Sequence, residues 1–130
     1  MAAGLYTFTI EQGATYTSEI QWKNAANTAV DLSGYTAKMQ IRAEQNSTST
    51  AYLTLNTSAS VATTGICLSG SSGTGNVNEG KIAITITAGS TGLLDFGTDE
   101  MGYYDLEMTK GNVVTRLLQG KVKLSKQVTN

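Results

Sequence analysis

The chain has 130 residues and a formal net charge of −1, nine Lys and Arg standing against ten Asp and Glu, with no His and no Pro. So even a balance, with no long block of either sign, argues against nucleic acid as a partner, because phosphate binding needs a basic face with several neutralising contacts. The lack of His removes the commonest general base, the usual zinc ligand and every Ser-His or Cys-His pair.

At this length one domain, residues 1–130, is expected, and folding takes about two-thirds of the unfolded chain's surface out of water. The lone Cys67 cannot close an intramolecular disulfide, so packing must carry the fold, as in a reducing cytoplasm. The start "MAAGLYTFTI" has neither a basic leader nor an apolar run of signal length, and no stretch of about 18 apolar residues occurs, so the expectation is a soluble protein without a membrane partner. Ser and Thr fill about a quarter of the chain, a composition that suits strands with one wet face.

Taken in order, the elements alternate with a period of two. Tyr6, Phe8 and Ile10 mark an opening strand, and in "TYTSEIQWK" Tyr16, Ser18, Ile20 and Trp22 share one side. In "YTAKMQIR" Tyr35, Ala37, Met39 and Ile41 point inward, with Thr36, Lys38, Gln40 and Arg42 outward. Leu53 and Leu55 follow, which sends Tyr52 outward, and a short strand is expected around Ile66 to Leu68. Residues 56–80 form the loosest region, a Gly/Ser-rich loop, before Ile82, Ile84 and Ile86 in "KIAITIT". "STGLLDFG" has room for one helical turn. The segment "GYYDLEMTKGNVVTRLLQG" reads as a hairpin: Tyr104, Leu106 and Met108 inward, Tyr103, Asp105, Glu107 and Thr109 outward, Gly111 and Asn112 turning the chain, and Val113 to Leu124 returning. Gly120 on the return marks a bulge or a close backbone contact. Seven or eight antiparallel strands of this kind predict an all-β, immunoglobulin-like β-sandwich.

One spacing supports that fold. Glu100, Gly102, Tyr104 and Leu106 in "EMGYYDL" occupy the places of Asp-x-Gly-x-Tyr-x-Cys in immunoglobulin-like domains, where the Tyr hydroxyl bonds back to the backbone and locks a corner. Glu replaces Asp and Leu replaces Cys, so Gly102 and Tyr104 are expected to form a structural corner with apolar contact in place of a disulfide. Trp22 falls on the second strand rather than the third.

The chemical candidates have stronger structural readings. "TGICLSG" offers no activating group for Cys67. Gly75, Gly80 and Lys81 have phosphate-loop spacing, but Ile82 stands where a hydroxyl should hold magnesium and a strand follows in place of a helix. Asp95, Asp99 and Glu100 lack the alternating ligand spacing of a calcium loop. Asp105 and Glu107 lie about 7 Å apart on one strand face, without a cleft to raise either pKa as a glycosidase requires. Trp22, Tyr35 and Tyr104 fall on inward faces and read as core; Asn46 and Asn56 match the glycosylation pattern by chance in a Thr-rich chain. No enzyme, cofactor or metal is therefore expected. Tyr52 and Tyr103, outward by parity, are the candidates for partner contact.

The strings "YTFTIEQGATYTSEIQWKN", "VDLSGYTAKMQIR", "GKIAITIT", "YYDLEMT" and "VVTRLLQGKVKLSKQVT" together resemble a family of small tailed-bacteriophage virion proteins, in which phrases such as "GATF" and "DLTGYTARMQIR" recur. The resemblance covers nearly the whole chain, is most specific over Asp31 to Arg42 and Tyr104 to Thr129, and is weakest over Ser69 to Gly80; Lys126 stands where many relatives have Pro. It implies an immunoglobulin-like structural protein of the virion, assembled in the host bacterial cytoplasm, whose partners are tail, baseplate or fibre subunits, with self-association left open and no catalytic residues to carry over. The N-terminal residues 1–5 and the loop 56–80 would then be the parts that order on contact. The alternative is a carbohydrate-binding or capsid-decorating module that contacts the host surface.

Overall fold

The computed structural model describes residues 4–44, 48–49, 51–58, 62–69, 77–96 and 101–126. Among these residues nine strand segments pack as two sheets. The smaller sheet has the order β3 (Tyr16–Gln21), β7 (Lys81–Ile86), β6 (Gly65–Cys67). The larger runs β9 (Val113–Ser125), β8 (Met101–Lys110), β4 (Thr36–Arg42), β5 (Ala51–Asn56), and the segments β1 (Gly4–Leu5) and β2 (Phe8–Glu11) both lie along the free side of β9. With β1 and β2 counted as one first strand, chain order and sheet membership are those of an immunoglobulin-like sandwich of variable type: second, sixth and fifth strands in one layer, and the last two with the third and fourth in the other. The first strand departs from the all-antiparallel expectation, because β1 and β2 pair with β9 in parallel.

The alternation explains the layers. Ala37, Met39 and Ile41 of β4, Tyr104, Leu106 and Met108 of β8, and Val122 and Leu124 of β9 are buried against Ile82, Ile84 and Ile86 of β7, with Phe8 and Ile10 closing one side. Each such aliphatic side chain contributes about 1.5–3 kcal/mol when fully buried. Cys67 is buried and unpaired in β6, which packs as core on all three of its residues.

The helical turn forms slightly earlier than its sequence signal: α1 spans Ala88–Thr91, N-capped by Thr87. Thr91 is wholly buried, and its hydroxyl donates to Ala14 O at 2.8 Å while accepting from Gly13 N at 3.1 Å. Gln12 Nε2 adds a bond to Leu94 O at 2.9 Å. The corner between β7 and β8 is thus tied to the β2–β3 turn by a Thr and a Gln whose roles no local spacing signals.

Candidate interaction surface

The outward face of the larger sheet is a set of cross-strand rows. In β8, the buried set Gly102, Tyr104, Leu106 and Met108 leaves Met101, Tyr103, Asp105, Glu107 and Thr109 on the opposite side. Register then places Arg42 of β4 on one flank of Tyr103 and Lys121 of β9 on the other. The next row sets Gln40, Asp105 and Gln119 side by side, and the third sets Lys38, Glu107 and Arg116. Asp105 pairs with Arg116, Oδ2 to Nε 3.4 Å, on exposed side chains where such a pair is worth about 0–1 kcal/mol. Arg42 is held in place, Nη1 donating to Ser49 O at 2.6 Å and Nη2 to Gln40 Oε1 at 2.9 Å.

Tyr103 is half-buried and outward, in the middle of the first row. Tyr52 is elsewhere, which corrects the sequence expectation. Ile41 pairs with Leu53 and Arg42 with Ala51, so Tyr52 is the extra residue of a β-bulge, and the bulge breaks the parity that sent it outward. Its ring stacks on buried Phe96, centroids 4.8 Å apart at 29°, as part of the core's rim.

Tyr104 also needs correction. Its hydroxyl donates to backbone, but to Tyr6 O at 2.8 Å, 98 residues away, and not to a corner a few residues upstream. The cause lies across the ladder. Tyr104 pairs with Gly120, and a Cβ there would run into Tyr6 O; the missing side chain lets the first strand and the Tyr104 ring meet over β9. Burial raises the Tyr104 pKa, with lesser contributions from Tyr16 and Tyr6; burial likewise raises that of Tyr16. The bulge in this ladder lies three residues earlier, where Leu106 pairs with Leu118 and Glu107 with Arg116, making Leu117 the extra residue. Gly102 is buried, and a Cβ there would come 3.2 Å from Arg42 O and 3.3 Å from Ile41 Cγ2, so its smallness lets β8 lie close against β4.

At the far end of the hairpin Lys110 pairs with Val113, making Gly111 and Asn112 the turn. Gly111 has φ 59° and Asn112 keeps negative φ, the pattern of a type II′ turn. Lys110 Nζ sits 5.4 Å from the Tyr35 ring centroid, and Tyr35 meets Trp22 edge-on at 5.4 Å; both aromatics are half-buried at the rim of the core. Asp31 nearby accepts from the Ser33 hydroxyl at 2.7 Å and the Ser33 N–H at 3.0 Å, which lowers its pKa, the hydroxyl bond most of all.

The remaining candidates are scattered. Lys81 begins β7 and pairs with Glu79 at 3.3 Å, while Gly80 has φ 66° and would press a Cβ against Trp22 O; Gly75 lies outside the described residues. Asp95 is exposed, and Asp99, Glu100 and Asn46 lie outside the described residues, as do residues 59–61 and 70–76 of the loop 56–80. Asn56 ends β5, exposed. Among the described residues no three His, Cys, Asp or Glu side chains gather as a metal site, and no helix is long and apolar enough to cross a membrane. Sequence reasoning overlooked Lys121 and Lys123 as neighbours of Tyr103. Their alternation in "GKVKLS" was legible; their register against Tyr103 was not.

Fold and face define an immunoglobulin-like module with a polar, strand-built surface. Comparison with known protein families and with curated proteins finds no match. Among solved structures the chain is similar to the extracellular domain of the voltage-gated sodium channel β4 subunit, seen as parallel homodimers in cell–cell adhesion, at 7% identity, covering 98% of this chain and 97% of that one with a TM-score of 0.42. It is also similar to a structure from work on multimeric cell-adhesive interactions of sodium channel β subunits, at 12% identity, 99% and 98% coverage and a TM-score of 0.45. Adhesion is a property of those subunits.

Proposed function

We propose that this chain is a structural component of a bacteriophage virion, a tail, baseplate or fibre-adaptor subunit that acts by protein–protein assembly and not by catalysis. The observation that carries this reading is where the sequence resemblance falls. Its two most specific stretches, Asp31 to Arg42 and Tyr104 to Thr129, supply β4, seven of the ten residues of β8, and β9, three adjacent strands of the outward face, with Tyr103 standing immediately before the second stretch. An outward sheet face built from charged and polar side chains around one tyrosine suits contact with another folded surface. The carbohydrate-binding or capsid-decorating alternative keeps Tyr103 but loses Tyr52, whose ring is stacked on Phe96. Mass spectrometry of gradient-purified virions produced from the encoding genome tests the reading. The chain is expected in the particles in fixed stoichiometry to other tail proteins; its absence from them, or glycan binding by the isolated chain without particle association, would overturn it.

A further inference from the structure

Five of the nine Lys and Arg residues, Lys38, Arg42, Arg116, Lys121 and Lys123, stand on the outward face of the larger sheet, against three of the ten carboxylates, Glu11, Asp105 and Glu107. A chain of formal charge −1 therefore carries +2 on this face and −3 over its other residues. The charge is also uneven within the face. Toward the hairpin turn, acids and bases are matched: Asp105 pairs with Arg116, and Glu107 lies in register between Lys38 and Arg116. Toward the other end, the row Arg42, Tyr103, Lys121 crosses three strands without a carboxylate, and Lys123 follows on the same side of β9 with Met101 and Thr9 as its cross-strand neighbours. Glu11 stands beyond it, beside Ser125. Lys121 and Lys123 are exposed and form no ion pair among the described residues. The two bonds that fix the Arg42 guanidinium leave its other N–H groups with donor capacity in a set orientation.

We propose that this row, Arg42, Tyr103 and Lys121 with Lys123 beside it, is the docking surface for an acidic segment of a protein partner. The proposal rests on the assembly reading above and names the chemistry of the neighbour. An oriented guanidinium accepts a carboxylate by charge-assisted hydrogen bonds, the Tyr103 ring supplies apolar contact next to it, and the two lysines steer the approach. Arg and Tyr are the residues that carry binding energy at protein interfaces. Nucleic acid is the poorer fit, because three unmatched cations on a net acidic chain neutralise few phosphates.

The test titrates the full chain, followed by amide NMR, with poly-L-glutamate and separately with a DNA duplex. Poly-L-glutamate is expected to shift the amides of Arg42, Tyr103, Lys121 and Lys123, and the double variant K121E/K123E to weaken that binding about tenfold. Tyr103→Ala is expected to weaken it with the cations unchanged. Shifts confined to other parts of the chain, binding untouched by K121E/K123E, or tighter binding to DNA than to poly-L-glutamate would each overturn the proposal. Incorporation into virions separates it from the assembly reading. K121E/K123E chains entering particles as well as the parent would end this proposal and leave that reading standing; a parent chain that binds poly-L-glutamate at the row but never enters particles would do the reverse.

Discussion

The two ends of the β8–β9 hairpin are built from the same alternating sequence and differ in almost everything else. At the root Tyr104 is 4% exposed, bonded to Tyr6 O and covered by Phe8, whose ring lies 4.7 Å from its own. At the turn Val113 is 65% exposed and Val114 57%, and the outer edge of β9 from Val113 to Leu117 pairs with no strand among the described residues. Each end has a glycine, and the two serve opposite needs. Gly120 is required for space, because the first strand's backbone occupies the position of its Cβ; Gly111 is required for its positive φ and has nothing within 4 Å of that position. A glycine in a hairpin therefore has no meaning until its neighbours are known.

That contrast orders the expected effects of substitution. Gly120→Ala drives a methyl into Tyr6 O and should cost about 3 kcal/mol in urea unfolding, with loss of amide protection in β1 and β2; a change under about 0.5 kcal/mol would show that the first strand does not cross there. Tyr104→Phe removes one hydrogen bond and should cost about 1 kcal/mol. It should also alter the alkaline limb of stability. The folded-state pKa of Tyr104 is raised, so as pH climbs past the unfolded value of about 10 the unfolded chain ionises first, and stability that is intact below that pH falls above it. The Phe variant should lose less between neutral pH and pH about 11 than the parent, and an equal loss would assign the alkaline sensitivity elsewhere. At the turn, Gly111→Ala should cost about 1 kcal/mol through backbone strain alone, and Gly111→Asn no less, because the first central position of a type II′ turn lies outside the left-handed helical region that Asn tolerates. Val114→Thr should stay within about 0.5 kcal/mol, as expected of an exposed side chain away from the core.

Much of the fold was legible because strand parity is a local property. Ala37, Met39 and Ile41, or Ile82, Ile84 and Ile86, declare their inner face without knowledge of any partner strand. The misplacements arose where parity is interrupted or where a partner is remote. A bulge at Tyr52 turned an expected contact residue into a ring packed on Phe96, and nothing in "TAYLTL" marks that extra residue. The Tyr104 hydroxyl found an acceptor 98 residues away, so its local spacing could propose a backbone bond but not which one. The row around Tyr103 is of the same kind: Arg42, Tyr103 and Lys121 are each outward by parity, yet only the register between three strands makes them neighbours.

Docking through the outward face of the larger sheet is tested most directly by an electron cryomicroscopy reconstruction of purified virions produced from the encoding genome. The expected map contains this chain with Tyr103 and Lys121 covered, and with an Asp or Glu of the neighbouring subunit against Arg42. A map in which the chain is present and that face is open to solvent, or in which the chain is absent, would contradict it.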